Sequence, residues 1–207
     1  MSTAPPTRGF GFLESWLAHK RAEIARRLIP CSLRSGVILD IGCGVPASFL
    51  QTTTFHRKIG VDIRGQRGVD PTTAIEHVVW DVRRTEPLPF DDDSIDVITL
   101  LAMIEHIPLA VMHHFFSNLH RILRPGGVII ITTPRFGTGI LLRVMSFLRL
   151  VSPIEIDDHQ QLLRPSILLS LLVRAGFSPK RMSKGFFEWR CNLWVTAYKY
   201  ACGTKEK

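Results

Sequence analysis

Short apolar runs and longer amphipathic stretches alternate along the chain. Five runs, each bounded by glycine, proline or charged residues, predict buried β-strands. They occupy residues 37–41, 58–63, 76–81, 95–101 and 128–133. A terminal hairpin is expected within 182–200, with its strands around Phe186-Phe187 and Leu193–Tyr198. The pattern therefore predicts seven strands.

Three stretches repeat their apolar residues at helical spacing. They are 13–29, the stretch from Pro108 to Leu123, and 165–175, which precedes Gly176. In the first of them the predicted apolar face consists of Leu13, Leu17, Ile24 and Leu28. The linker between the second and third strands has about a dozen residues, too few for a full crossover helix, so a loop or one turn is expected there.

Strands that alternate with helices predict an α/β fold. We expect a doubly wound, mostly parallel, seven-stranded sheet of the Rossmann type with a C-terminal antiparallel hairpin. The expected organisation is a helical extension at 1–34, one domain at 35–200 with a helical insertion at about 137–163, and a tail at 201–207.

The composition is that of a chain with an ordinary core. Of 207 residues, 45% are hydrophobic and 21% are charged, so no disulfide or metal is needed to stabilise the fold. Four scattered cysteines without zinc spacing and a start unlike a secretory signal predict a cytoplasmic protein. The formal net charge of +8 leaves two explanations open, solubility alone or an anionic partner such as nucleic acid or the inner membrane face.

The run at 37–44, Val-Ile-Leu-Asp-Ile-Gly-Cys-Gly, has the clearest chemical meaning. Gly42 and Gly44 allow a tight turn after the strand and close approach of a ligand to the main chain. A pyrophosphate cradle favours positive potential, whereas Asp40 repels phosphate and attracts an ammonium group. The turn therefore favours a nucleoside with a cationic tail, such as S-adenosylmethionine.

Dinucleotide binding is the alternative for the same turn. Gly42, Gly44 and Ala47 satisfy a relaxed Gly-x-Gly-x-x-Gly/Ala fingerprint, and Asp62 follows about 20 residues on. Short-chain dehydrogenases place a lysine four residues after a tyrosine, and neither tyrosine of this chain has one. Hydride transfer is therefore disfavoured.

Five segments in order resemble motifs of the class I S-adenosylmethionine-dependent methyltransferases, of the small-molecule type, over residues 35–200. The segments are Leu39–Gly44, Gly60-Val61-Asp62, Asp81 with Leu88–Asp91 and Ser94–Val97, Glu105-His106-Ile107, and Leu123–Gly127. The resemblance implies that S-adenosyl-L-methionine is the co-substrate.

The resemblance also implies roles for individual residues. Gly42 and Gly44 would face the methionine portion of the donor, Asp40 would hold its ammonium directly or through water, and Asp62 would accept hydrogen bonds from both ribose hydroxyls. Asp81 and the Val82 amide would bind the adenine, and the end of the fourth strand would border the sulfonium. The full implied donor set is Asp40, Gly42, Cys43, Gly44, Asp62, Ile63, Asp81, Val82, Leu100 and Leu101.

One position departs from the family pattern. Pro46 stands where the family often has a third glycine. Proline removes an amide donor and fixes its own φ, so we expect the helix start at this point to be rebuilt.

The candidate catalytic bases are two histidines. Transfer from a sulfonium mainly requires alignment of the acceptor lone pair, and a base is needed only when the acceptor carries a proton at neutral pH. His106 follows the fourth strand and His159 lies in Asp157-Asp158-His159; a structural role is the alternative for each. Glu105 is expected to brace a loop. No metal site is expected, because adjacent side chains on an extended segment point in opposite directions.

The apolar insertion at 137–152 has three interpretations: a lid over the acceptor, a core helix, or a surface helix that contacts lipid through 139–151. A lid this apolar favours a small hydrophobic or amphipathic acceptor, with oxygen, nitrogen and carbon all open as the methylated atom. The alternatives are a nucleic-acid or protein acceptor, and a non-catalytic scaffold of the same fold.

Overall fold

The structure is a computed structural model that describes residues 12–65, 67–134, 164–188 and 191–200, with the backbone alone for residues 12–15. Within these ranges the helices are α1 (Phe12–Leu28), α2 (Ser48–Gln51), α3 (Leu109–Ile122) and α4 (Pro165–Arg174). The strands are β1 (Val37–Ile41), β2 (Arg57–Asp62), β3 (Gly68–Asp70), β4 (Ile75–Val79), β5 (Ile95–Leu101), β6 (Leu123–Pro134), β7 (Met182–Phe187) and β8 (Asn192–Tyr198).

All eight strands form one sheet in the order β3-β4-β2-β1-β5-β6-β8-β7. β4, β2, β1, β5 and β6 are mutually parallel, while β8 is antiparallel to both β6 and β7. The predicted α/β class, the five parallel strands and the antiparallel hairpin are confirmed. The near-continuous apolar runs of the central strands fit a sheet covered on both faces.

The sheet has one strand more than predicted. The linker expected to be a loop or one turn forms β3, which pairs antiparallel with β4 through Gly68↔His77, Val69↔Glu76 and Asp70↔Ile75. The turn that joins them is held by Asp70, whose Oδ1 accepts hydrogen bonds from the Thr72 amide at 2.8 Å and from the Thr72 hydroxyl at 2.6 Å. A short linker that cannot hold a crossover helix can still form a hairpin, because antiparallel neighbours need only a tight turn.

The core lies in two layers, one on each face of the sheet. Successive side chains of a strand point to opposite faces, so Ile129 and Ile131 of β6 pack with α3 and α4, whereas Val128 and Ile130 pack with α1 and α2. We call the second layer the α1 face. Side chains two residues apart on one strand share a face, so the alternation along each strand tells on which face a functional side chain lies.

Helix α1 contacts the sheet through a narrower row than predicted. Ala22, Ala25 and Ile29 are its buried positions, at 9%, 0% and 3% exposure. The predicted apolar residues Leu17, Ile24 and Leu28 are only half-buried and flank this row. Small alanine side chains allow the helix backbone to approach the sheet closely, and the larger residues then lie at the margin of the contact.

Helix α2, which follows Pro46, is a single turn. The helix begins after Ala47, which makes no side-chain cap, and ends at Gln51. The Ser48 amide donates to Pro46 O at 2.8 Å, a local bond that takes the place of a regular first turn.

A clamp built on Asp96 joins three central strands at their amino ends. Asp96 Oδ2 accepts a 2.7 Å hydrogen bond from the Val37 amide and a 2.9 Å bond from Arg124 Nη1. A Cβ at Gly36 would come within 2.2 Å of the same carboxylate oxygen, so only glycine fits there. β1, β5 and β6 are therefore fastened together at the edge opposite to the predicted donor site.

Helices α3 and α4 meet through an aromatic contact at the C-terminus of each. The ring of His120 stands at 87° to the ring of Phe177, with their centroids 4.9 Å apart. Burial lowers the pKa of His120 below its usual value, and the nearby charge of Lys199 lowers it further, while Asp93 raises it. The contact therefore favours the neutral imidazole.

Candidate active site

The carboxyl ends of the parallel strands meet at one edge, where the sequence predicts the donor site. The strand order reverses between β1 and β5: from β1 the chain continues to β2 on one side and later returns to β5 on the other. Open α/β sheets bind ligands at such a switch point, in the crevice outside the strand ends. The two predicted glycines follow β1 at this point.

The glycine turn uses its amides within the protein. The amides of Gly42 and Cys43 both donate to Val61 O, at 2.8 and 3.2 Å. Gly42 and Gly44 have φ of +76° and +67°, which only glycine adopts readily. A pyrophosphate cradle needs amides directed at the ligand. This turn directs them at β2, which argues against dinucleotide binding.

Asp62, at the end of β2, is held in a defined orientation. Its Oδ2 accepts a 2.8 Å hydrogen bond from the Gly44 amide, and its Oδ1 accepts a 3.0 Å bond from the Arg64 amide. Each carboxylate oxygen has a second lone pair. The residue is partly exposed, so both oxygens can accept a further hydrogen bond, as the predicted contact with two ribose hydroxyls requires.

Asp40 is almost completely buried, with 3% of its surface exposed. Its Oδ1 accepts a 2.7 Å hydrogen bond from the Thr99 hydroxyl on the neighbouring strand β5. Of the two predicted arrangements, contact with the donor ammonium through an intermediary fits this burial better than direct contact.

Asp81 has a partner that the sequence analysis missed. Arg83 Nε donates to Asp81 Oδ1 at 2.9 Å and Arg83 Nη2 donates to Oδ2 at 3.0 Å, a fork of two parallel bonds. The hydrogen bond from Arg83 holds the pKa of Asp81 below its usual value, against the effect of burial. Asp81 therefore stays ionised, and an adenine amino group would share it with Arg83. The Asp-x-Arg spacing was the only available sign of this pairing.

Four of the residues predicted to bind the methyl donor differ in how accessible their side chains are at the carboxyl edge of the sheet. Ile63 is 50% exposed and offers an apolar surface beside Asp62. The side chain of Cys43 is buried against Gly60, so only its main chain can face a ligand. Leu100 is fully buried in the layer with α3, whereas Leu101 is half-buried on the α1 face. Of the two leucines predicted to border the sulfonium, the structure leaves Leu101 accessible.

The segment after β5 turns sharply beside the glycine turn. Ala102 has φ of +53°, a conformation that is uncommon outside glycine, and its amide donates to Thr132 O at 2.9 Å. The next residue, Met103, packs so closely on Gly42 that a Cβ there would lie 2.5 Å from Met103 Cγ. The strained turn closes one wall of the site. No sequence pattern predicted it, because alanine does not mark a positive φ.

Of the candidate bases, the structure places His106 at this edge. It ends the 3-10 turn Ile104–His106 after β5 and is partly exposed. Glu105 beside it is 1% exposed and accepts a 3.3 Å hydrogen bond from the Thr133 hydroxyl, which fits its predicted bracing role. His159 and the insertion at 137–152 lie outside the described residues, so their roles stay predictions.

The described part of the chain holds no group of three or more His, Cys, Asp or Glu side chains placed to bind a metal ion. Within the same ranges, no helix combines the length and the apolar character needed to cross a membrane.

Comparison with known proteins agrees with this architecture. The sequence model of a methyltransferase domain family matches residues 13–180. A probable S-adenosylmethionine-dependent methyltransferase of Mycolicibacterium smegmatis is 29% identical over 130 residues, which cover 60% of this chain and 48% of that protein. The tRNA N(3)-cytidine methyltransferase METTL2 of Bos taurus is 27% identical over 124 residues, 53% of this chain and 32% of the relative. The chain thus spans less than half the length of these relatives.

A solved structure shares the fold over most of the chain. The S-adenosylmethionine-dependent methyltransferase of Mesorhizobium loti superposes with a TM-score of 0.64 at 16% identity, covering 88% of this chain and all of that one. The family match over most of the chain, and the glycine turn and Asp62 placed at the switch point of the sheet, agree with one another. The chain belongs to the S-adenosylmethionine-dependent methyltransferase family.

Proposed function

We propose that this chain transfers a methyl group from S-adenosylmethionine to a small acceptor with an apolar or amphipathic body. The observation behind the proposal is the pairing of Gly44 with Asp62, which holds a partly exposed carboxylate at the switch point of the sheet. Bound there, the donor supplies an electrophilic methyl group on a sulfonium. The chain's own part is to bind and align the two substrates.

The described residues fit such a donor. Asp62 presents two oxygens to a pair of hydroxyls, Ile63 offers an exposed apolar surface for a base, and the buried Asp40 favours a cation near the turn. The same negative potential disfavours a diphosphate. The site therefore discriminates by charge between a sulfonium nucleoside and a dinucleotide.

His106 is the proposed base for an acceptor that carries a proton, with His159 as the second candidate. Replacing His106 by alanine should lower turnover while donor affinity stays nearly unchanged. The side chain follows β5, whereas Asp62 is held by the amides of Gly44 and Arg64, and the glycine turn is held by Val61 O. Normal turnover of the His106→Ala protein would remove it from the chemistry.

The proposal is tested by calorimetry with S-adenosylmethionine and S-adenosylhomocysteine, followed by incubation of the donor-saturated protein with a metabolite panel and mass detection of methylated products. Donor binding with transfer to a panel compound is the expected result. Absence of donor binding at high micromolar concentration would instead favour a non-catalytic scaffold.

RNA is the second candidate acceptor. The formal net charge of +8 and the similarity to a tRNA methyltransferase favour it. Incubating the donor-saturated protein with total tRNA, followed by digestion and nucleoside mass analysis, separates the two: a methylated nucleoside identifies RNA as the acceptor.

A further inference from the structure

Polar side chains form a row across the α1 face near the donor site. Thr99 lies on this face beside Asp40, and Thr132 of β6 follows two residues after Ile130 on the same face. On β8, Asn192 alternates with the buried Leu193 and Val195 of the other layer, which places Asn192 on the α1 face as well. The row runs from the buried acid of the donor site toward β7.

Three atoms at the far end of this row are buried without a hydrogen-bond partner. They are the Thr132 hydroxyl, Glu188 Oε1 and Arg21 Nε. Thr132 is fully buried. Buried polar atoms are nearly always paired, because leaving one unpaired costs roughly 1–3 kcal/mol. Thr132 is a diagonal neighbour of Asn192 on the same face, Asn192 donates a hydrogen bond to Glu188, and Arg21 lies near enough to act on the charge of Glu188. Three unpaired atoms in one region of the α1 face, at the edge proposed to hold the substrates, indicate a place for a ligand group.

Glu188 is held in an unusual position. It follows β7 with φ of +51°, and its Oε2 accepts a hydrogen bond from Asn192 Nδ2. Burial raises the pKa of Glu188 above its usual value, although Arg21, the Asn192 bond and Lys20 lower it. Arg21 thus lies near enough to act on Glu188, yet within the described residues the two form no ion pair.

Glu188 follows β7, and the sheet order β5-β6-β8-β7 places it about three strand spacings, roughly 14 Å, from the end of β5. The surface between is apolar: Leu101 is half-buried, Pro134 is buried and pairs with Asn192, and Trp194 lies over Gly185, where a Cβ would be 2.5 Å from the indole. An acceptor that reaches this cluster from the donor methyl must therefore have an apolar body.

We propose that Arg21, Thr132 and Glu188 form a subsite for a neutral polar group at the distal end of the acceptor, one that donates a hydrogen bond to Glu188 and accepts one from Arg21. This inference rests on the proposed function and defines its substrate class. A carboxamide or hydroxyl satisfies both partners. A carboxylate or phosphate is repelled by Glu188, and an alkyl group leaves all three atoms unpaired.

The test uses three small probes that share a ring and differ in polar group: benzamide, benzoate and toluene. Binding to the full-length protein saturated with S-adenosylhomocysteine is measured by ligand-observed NMR titration. Benzamide should bind about ten-fold more tightly than benzoate or toluene, and Glu188→Leu and Arg21→Met should each remove about five-fold of that preference.

Arg57→Met and Glu76→Leu provide matched controls, because these residues have the same types and form a 2.6 Å ion pair between β2 and β4, on the other half of the sheet. They should leave the probe preference unchanged. Glu188→Gln, which keeps the shape of the side chain, covers the case in which Glu188→Leu does not fold; it should also weaken the preference.

The outcomes separate the two proposals. Equal binding of the three probes, or a benzamide preference that survives in the Glu188 and Arg21 variants, overturns the subsite, while binding of S-adenosylhomocysteine still supports the donor site. No binding of S-adenosylhomocysteine overturns the proposed function, and the subsite with it.

Discussion

The Thr99 hydroxyl donates a 2.7 Å hydrogen bond to the buried carboxylate of Asp40, joining β5 to β1 just below the glycine turn. The bond gives a buried carboxyl oxygen a hydrogen-bond donor, and it joins the strand that leads to His106 to the strand that leads to Gly42. The stability of the fold therefore depends on a residue that is also proposed to act in donor binding.

Replacing Thr99 by valine should lower the free energy of unfolding by about 1–3 kcal/mol, because a buried acceptor loses its donor. Urea denaturation monitored by circular dichroism measures the change. Thr132→Val is the matched control: its hydroxyl is equally buried but makes no hydrogen bond in the structure, so the substitution should be neutral or stabilising. Equal destabilisation by both variants would contradict the assigned role of the Thr99 bond.

Asp62→Ala should weaken the binding of S-adenosylhomocysteine by about ten-fold or more, because two charge-assisted hydrogen bonds to the ribose are lost. Isothermal titration calorimetry measures the affinity. Asp91→Ala serves as the control, since Asp91 is exposed and precedes β5 at the opposite edge of the sheet. An unchanged affinity in Asp62→Ala would refute the ribose assignment.

Gly42→Ala should destabilise the protein by about 1–3 kcal/mol, through a strained φ and a clash with Met103. Gly126→Ala isolates the strain of the positive φ, because Gly126 has a similar φ of +83° and nothing within 4 Å of the added methyl group. Thermal melts of both variants, and of Gly42→Ala combined with Met103→Ala, measure the loss of stability in each. If the clash matters, the second substitution restores part of the loss in Gly42→Ala.

The stability should depend on the ionisation of His120. Because burial and Lys199 lower its pKa in the folded protein, the unfolded chain binds more protons just below pH 6.5, the usual histidine pKa. The contribution of neutral His120 to stability is therefore complete above pH 6.5. It is lost as the pH falls from 6.5 toward the lowered pKa of His120 in the folded protein. When the free energy of unfolding is measured by denaturation between pH 5 and 8, it should change less steeply with pH in His120→Phe than in the wild type.

His113→Gln is the control for that experiment, because His113 is exposed on the same helix. It should keep the slope of the wild type. A slope that persists in His120→Phe would assign the pH dependence to another group.

The regular part of the fold could be predicted because it depends on patterns that extend over several residues. Apolar runs located the five parallel strands, and the acid after β2 was found as Asp62 from its place in the motif. The differences between the predicted and the observed elements are local. β3 has three residues, too few for a pattern, and the buried row of α1 depends on Ala22 and Ala25, which a search for large apolar side chains overlooks.

The site was predictable as a location and less so as a set of contacts. The strand ends placed Asp40, Asp62 and Asp81 at one edge, but the fork from Arg83 to Asp81 forms across a turn. Ala102 has a positive φ and its amide donates to β6. No residue type in the sequence predicts this conformation. Contacts made between distant segments, such as the hydrogen bond from Thr99 to Asp40, can be identified only in the folded chain.

The Asp96 clamp places a stabilising contact away from the proposed donor site. It adds side-chain bonds at the amino ends of β1, β5 and β6, strands that are already joined along their length by backbone hydrogen bonds. The glycine turn and Asp62 lie at the opposite rim. The contact that fastens the central strands is therefore separate from the residues proposed to bind the donor.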